Sequence, residues 1–104
     1  LLDGVKQRFA KDFLDLLILR LIQVRPHWGY EIITQVKARF KIKIGSSSVY
    51  PVLNSLETKG LIRGVWEEQP KKRRKIYEIT EKGAKLISLY NDFLSEQLQM
   101  SDVR

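Results

Sequence analysis

The chain has no cysteine and a single histidine, His27. Without thiols there is no disulfide framework and no thiolate metal site, and one imidazole is too few for a histidine-based metal centre. The lack of cysteine also fits a reducing compartment. Only three prolines and six glycines punctuate 104 residues. No repeat or low-complexity linker divides them, so a single domain is expected at this length. Long hydrophobic runs are missing too. The longest apolar stretch, residues 13–24, is broken by Asp15, Arg20 and Gln23. It falls short of the about 20 apolar residues that a membrane-spanning helix needs, and no small-residue cleavage site follows it to suggest a secretory signal. Acidic residues are the scarcer charge: 12 Asp and Glu stand against 19 Lys and Arg, a net charge of +7. Such an excess points to a polyanion, nucleic acid or an acidic membrane surface, with plain solubility as the alternative.

Apolar residues make up 43% of the chain, enough for a real core. Over residues 5–24, Phe9, Phe13, Leu16, Leu17, Leu21 and Val24 recur at steps of three and four and predict one helix. Leu14, Ile18, Leu19 and Ile22 make its second half apolar on more than one side, so it must be covered on more than one side. Pro26 ends it. A second helix opens at Trp28-Gly29-Tyr30 and runs to about Phe40 on the stripe Ile32, Ile33, Val36 and Phe40. Lys41-Ile42-Lys43-Ile44 alternates and predicts a short strand.

Gly45-Ser46-Ser47-Ser48 is a turn with three candidate N-caps. A third helix follows to Lys59, burying Val49, Val52, Leu53 and Leu56. Pro51 has no N–H and is expected in the first helical turn, which sets the start at Ser47 or Ser48. Gly60 supplies a left-handed C-terminal cap. Residues 61–67 and 75–80 read as two strands around a polar turn, residues 68–74, making a hairpin with a basic tip. Thr80 caps a last helix that reaches about Met100, with the stripe Leu86, Leu89, Tyr90, Phe93, Leu94 and Leu98. The expected fold is therefore mostly α with a small antiparallel β-hairpin, a winged helix-turn-helix with an added C-terminal helix. Residues 1–80 form the DNA-binding unit and 81–104 the dimerisation helix, in one compact body.

In such a fold the third helix reads the major groove from its N-terminal part. Its polar residues are Ser46, Ser47, Ser48, Tyr50, Asn54 and Lys59. Hydroxyls at a helix start suit phosphate, beside free N–H groups and the positive end of the dipole. Asn54 has the side chain to read adenine bidentately. The blander roles are a cap for Ser47 and a solvated surface for Asn54. The run Lys71-Lys72-Arg73-Arg74-Lys75 puts five cations in a row, which repel unless something anionic lies against them. A wing of this kind lies on the phosphate backbone or in the minor groove, and its alternative is a solvated basic loop. Trp66 and Tyr77 fall on facing strands as a cross-strand pair or as core residues.

No catalytic constellation is present. His27 sits between Pro26 and Trp28 with a structural role expected, and Ser46, Ser47 and Ser48 have no base nearby in sequence. Glu67 and Glu68 are neighbours at a strand end and face opposite sides. The apolar stripe of the last helix has as its natural partner the over-apolar first helix, in the same chain or in a second copy. The residues concerned are Phe13, Leu16 and Leu17 with Leu86, Leu89, Tyr90, Phe93, Leu94 and Leu98. Two-fold dimers are the commonest oligomer, and one would space two recognition helices about 34 Å apart.

Together, Gly29-Tyr30-Glu31-Ile32, Ser48-Val49-Tyr50-Pro51-Val52-Leu53-Asn54-Ser55-Leu56-Glu57, Lys59-Gly60-Leu61-Ile62 and Arg73-Arg74-Lys75-Ile76-Tyr77-Glu78-Ile79-Thr80 with Lys82-Gly83 resemble the PadR-like transcriptional regulators over roughly residues 9–98. The resemblance implies a prokaryotic, cytoplasmic homodimeric repressor on double-stranded DNA carrying an inverted repeat. It implies a last helix packed on the first helix of the other subunit and, in some members, release by a small hydrophobic effector such as a phenolic compound. It places Tyr30, Ser48, Tyr50 and Pro51 at the DNA face and Lys72, Arg73 and Arg74 on the wing. No cofactor and no membrane contact are implied. The family's tryptophan on the last helix is absent, since Trp28 and Trp66 lie elsewhere.

Overall fold

The most apolar segment of the sequence becomes the centre of the molecule. The computed structural model describes residues 1–41 and 43–99. Its elements run α1 (Leu2–Asp12), α2 (Leu14–Val24), β1 (His27–Trp28), α3 (Gly29–Phe40), α4 (Ser46–Thr58), β2 (Ile62–Gln69), β3 (Lys72–Ile79) and α5 (Glu81–Leu98). Helix α2 buries Leu16, Ile18, Leu19, Leu21 and Ile22. Around it close Ile32, Ile33 and Val36 of α3, Val49, Leu53 and Leu56 of α4, Tyr77 of β3 and Ile87 of α5. A helix apolar on several sides is thus covered on several sides within one chain.

The single helix expected over residues 5–24 is two helices. Phe13 leaves helical angles at φ −121° and ψ 28°. Hydrogen bonds from Phe13 N to Phe9 O and from Leu17 N to Phe13 O still bridge the joint. The bend lets Phe9 stack on Phe13 (ring centroids 5.0 Å apart) and on Phe40 of α3 (6.4 Å). Only Ala10 of α1 is fully buried.

The strand expected over Lys41–Ile44 does not form among the described residues. Lys41 is instead the left-handed C-cap of α3, at φ 51°, and Ile42 lies outside the described residues. The third strand is β1, which pairs with β3 (His27 opposite Tyr77, Trp28 opposite Ile76), giving the antiparallel order β1-β3-β2. Helix α4 starts at Ser46, earlier than expected. Gly45 is its N-cap, and the Gly45 carbonyl accepts from the N–H groups of both Ser48 and Val49. Pro51 therefore sits in the second turn rather than the first, and the carbonyl of Ser47 lacks its usual donor.

At its other end α4 stops as expected on Gly60, at φ +75°. The Gly60 N–H donates to Glu57 O and the Leu61 N–H to Leu56 O, a Schellman closure that turns the chain into β2. The hairpin is longer than expected. Strands β2 and β3 pair without a break from Ile62–Ile79 to Gln69–Lys72, leaving only Pro70-Lys71 as the turn. Thr80 caps α5, its Oγ1 accepting from the Gly83 N–H at 3.1 Å. Helix α5 ends at Leu98, and Met100 lies outside the described residues.

Candidate nucleic-acid interface

A strand alternates its side chains between faces, so the pairing register sorts the basic run into two sets. Lys75 lies opposite Trp66 and Arg73 opposite Glu68 on the face that continues to Tyr77. Arg74 lies opposite Glu67 and Lys72 opposite Gln69 on the other. Helix α4 approaches the first face. Between them runs an open groove of about 420 Å³ whose lining includes Tyr50, Asn54, Trp66, Arg73 and Lys75, and also Trp28 and Arg74.

The aromatic side chains seat the cations. The Arg73 guanidinium lies 4.3 Å from the centre of the Trp66 ring, and that of Arg74 lies 5.1 Å from Trp28. Trp66 is half exposed while Tyr77 is buried. Their partners across the sheet are Lys75 and Gly64, so the two aromatics are not a directly opposed pair. The Tyr50 ring packs over Gly29, where a Cβ would lie 2.6 Å from the Tyr50 hydroxyl. Only glycine there allows that approach.

Helix α4 and the hairpin are locked together by one carboxylate. Glu57 accepts from the Gly64 N–H at 3.0 Å through Oε2 and from Lys75 Nζ at 2.7 Å through Oε1. The hydrogen bond from Lys75 holds Glu57 below the usual carboxylate range against the opposing effect of burial, helped by the Gly64 N–H. The same bond raises Lys75 above the usual lysine value. Burial raises Tyr77. Glu67 is lowered, first by the Gln69 amide and then by Arg74.

The expected DNA-facing residues separate into groups. Tyr50, Asn54, Arg73, Arg74 and Lys75 share the groove. Ser46, Ser47 and Ser48 are exposed in the first turn of α4, where none supplies a side-chain cap. Tyr30 is exposed at the start of α3, 5.5 Å from Trp28 between ring centres. Lys71 and Lys72 are exposed at the hairpin tip. Lys59 follows the far end of α4, about 20 Å from Ser46 by helix rise, and is not brought to the groove.

The basic run is also not a turn of five free cations. Arg73 pairs with Glu68 (3.8 Å), Arg74 with Glu67 (3.1 Å) and Lys75 with Glu57. Trp28, Trp66 and these three glutamates were not singled out as interface residues by sequence reasoning. For two of them the signal was there: Glu67-Glu68 and Arg73-Arg74 are mirror positions about Pro70-Lys71.

Of the residues expected at a dimer contact, Leu16 is buried in the chain's own core. Phe13, Leu17, Leu86, Tyr90 and Leu94 are partly buried. Leu89 and Phe93 are each 58% exposed and Leu98 82%. His27 is buried in β1, its Nδ1 2.7 Å from the Arg25 carbonyl, the structural role expected of it. Among the described residues no helix is long and apolar enough to cross a membrane.

Known proteins share this fold. The family model described as the transcriptional regulator PadR-like family matches residues 18–88. A PadR-like transcription factor from Bacteroides fragilis has a similar fold, at a TM-score of 0.81 and 24% identity over 95% of this chain and 96% of that one. A PadR family regulator from Clostridium difficile superposes at 0.74 with 25% identity, over 86% of this chain and 96% of that one. An uncharacterised protein of Lysinibacillus sphaericus is 33% identical over 89 residues, 81% of this chain and 80% of its own length.

Proposed function

Since the chain belongs to the PadR-like family of transcriptional regulators, DNA-binding proteins rather than enzymes, we propose that it is a homodimeric repressor of an inverted-repeat operator. Helix α4 enters the major groove, and the β2–β3 hairpin lies on the backbone or in the minor groove. The observation that carries this reading is the groove between α4 and the hairpin, whose lining includes Tyr50 and Asn54 of the helix and Arg73, stacked on Trp66, of the wing. Tyr50 and Asn54 reach bases. Ser46, Ser47, Ser48, Tyr30, Lys71, Lys72, Arg73 and Arg74 reach phosphates, with Lys75 bracing the wing and Lys59 in a peripheral contact. The second copy covers Leu89, Phe93 and Leu98 of α5, with Phe13, Leu17, Leu86, Tyr90 and Leu94 at the margin. The protein works in the cytoplasm, on the nucleoid. We place any small hydrophobic effector against Ala10, Leu14 and Ile44 in an open cavity of about 650 Å³ whose other lining is polar (Gln7, Lys11, Lys41, Lys43 and Ser48).

Selection from a pool of random duplexes at about 150 mM salt, where non-specific contacts are screened, tests the reading. Recovery of one inverted repeat with half-sites about one helical turn apart is expected. Salt-sensitive binding with no recovered motif would replace it with a non-specific architectural or RNA-binding role.

A further inference from the structure

The basic hairpin is largely neutralised from within. Two of the three ion pairs made by the run Lys71–Lys75, Glu67–Arg74 and Glu68–Arg73, join residues directly opposite one another across β2 and β3. Each guanidinium is held on a second side by an indole, Arg73 by Trp66 and Arg74 by Trp28. Lys75 is committed to Glu57. Among the described residues, Lys71 and Lys72 make no ion pair, so only two of the five cations meet an approaching duplex uncompensated. An arginine already facing a carboxylate releases fewer counterions on meeting a phosphate, and it brings a negative charge with it.

We infer that Glu67 and Glu68 are specificity-determining residues: they stand in for phosphate on Arg74 and Arg73, withholding both arginines from DNA until the rest of the interface is seated. The inference rests on the DNA-binding reading above. Exposed ion pairs are weak, so a duplex that also engages α4 displaces the carboxylates readily. A duplex that meets the hairpin alone gains little beyond Lys71 and Lys72. The carboxylates therefore lower non-cognate affinity more than cognate affinity, which widens the ratio between them.

The test uses the full-length protein and fluorescence anisotropy with two labelled duplexes, the selected operator and a scrambled sequence of the same length. Four proteins are compared: wild type, E67Q/E68Q, R73A/R74A and the quadruple variant, each checked for an unchanged circular dichroism melt. In E67Q/E68Q, affinity for the scrambled duplex is expected to rise about 3- to 10-fold at ~100 mM salt. The operator should gain less, and the salt slope should steepen by about 1 to 2. The gain should vanish when the arginines are absent, because the carboxylates act through them. Unchanged affinity for the scrambled duplex overturns the inference. So does a gain of equal size in the quadruple variant, which would reduce the glutamates to bare repulsion of phosphate. If the wild type binds neither duplex at any salt, the DNA-binding reading fails and the inference fails with it. A wild type that binds while E67Q/E68Q behaves identically sinks the inference alone.

Discussion

Two surfaces of this protein are built by opposite rules. On the side of α4 and the hairpin, nearly every charged or aromatic group has a neighbour inside the chain. Arg73 and Arg74 have carboxylates and indoles, Lys75 has Glu57, and Tyr50 rests on Gly29. Along α1 and α5, large apolar side chains stand without cover. Leu2 and Val5 are each more than 60% exposed, Leu89 and Phe93 58%, and Leu98 82%. The braced surface is ready to meet a rigid, charged partner at small ordering cost. The bare surface gains stability only when something apolar closes over it. Leucine and phenylalanine exposed to this extent on one face support the proposed second copy as its cover.

The contrast can be broken most severely on the bare side. Leu89→Asp with Phe93→Asp is expected to yield a folded monomer by sedimentation. Operator affinity should fall by about 10²- to 10⁴-fold, because two linked half-site contacts become one. An unchanged oligomeric state would mean that this face serves some other partner.

On the braced side, Asn54→Ala is expected to cost about 1–3 kcal/mol on the operator and almost nothing on a scrambled duplex. Equal losses on both would make Asn54 a backbone contact. Glu57→Ala leaves the Gly64 N–H without its acceptor and Lys75 without its carboxylate. A loss of about 1–2 kcal/mol is expected, seen as a melting temperature lower by about 5–15 °C.

That difference between wild type and E57A should depend on pH in a set direction. Glu57 is lowered by folding, so its contribution is full above the ordinary carboxylate range and is lost as pH falls through the lowered value. Lys75 is raised, so its contribution is full below the ordinary lysine value and is lost as pH rises through the raised one. The melts of the two proteins should lie furthest apart at intermediate pH and draw together towards both ends, with a residual gap on the alkaline side where Glu57 still accepts from the Gly64 N–H. The smallest effect is expected from Lys71→Ala with Lys72→Ala. This variant should weaken all duplexes alike, by about 3- to 10-fold, and lower the salt slope by about 2.

What was legible in the sequence followed from periodicity and from backbone chemistry. The stripes Ile32-Ile33-Val36 and Val49-Leu53-Leu56, the left-handed Gly60 and the Thr80 cap are each set by a few neighbouring residues, and each stands where those residues put it. What was not legible depended on partners distant in the chain. The bend at Phe13 has no proline or glycine to announce it and goes with the stacking of Phe9 on Phe40 of α3, 31 positions away. Strand β1 is two residues long and exists through pairing with β3, whereas Lys41-Ile42-Lys43-Ile44 has the right alternation and no strand to pair with among the described residues. The cations of β3 resemble a loop until Glu67 and Glu68 are seen across the hairpin. The groove could be guessed in its α4 half, from Tyr50 and Asn54. Its indole half could not, because Trp28 and Trp66 look like core residues in a list and become seats for arginine only in the folded register.

The joint at Phe13 also divides the molecule in time. Helix α1 contributes one fully buried residue, Ala10, whereas α2 contributes five. An isolated helix of 11 residues is marginal in water, so α1 borrows its order from the stacked Phe9, Phe13 and Phe40 rings. Amides before Phe13 are therefore expected to exchange with solvent by local opening, and those of α2 only when the whole domain unfolds, which native-state hydrogen exchange would read directly. On that expectation the segment before Phe13 and the apolar helix after it form two cooperative units, and the slower of them carries the fold.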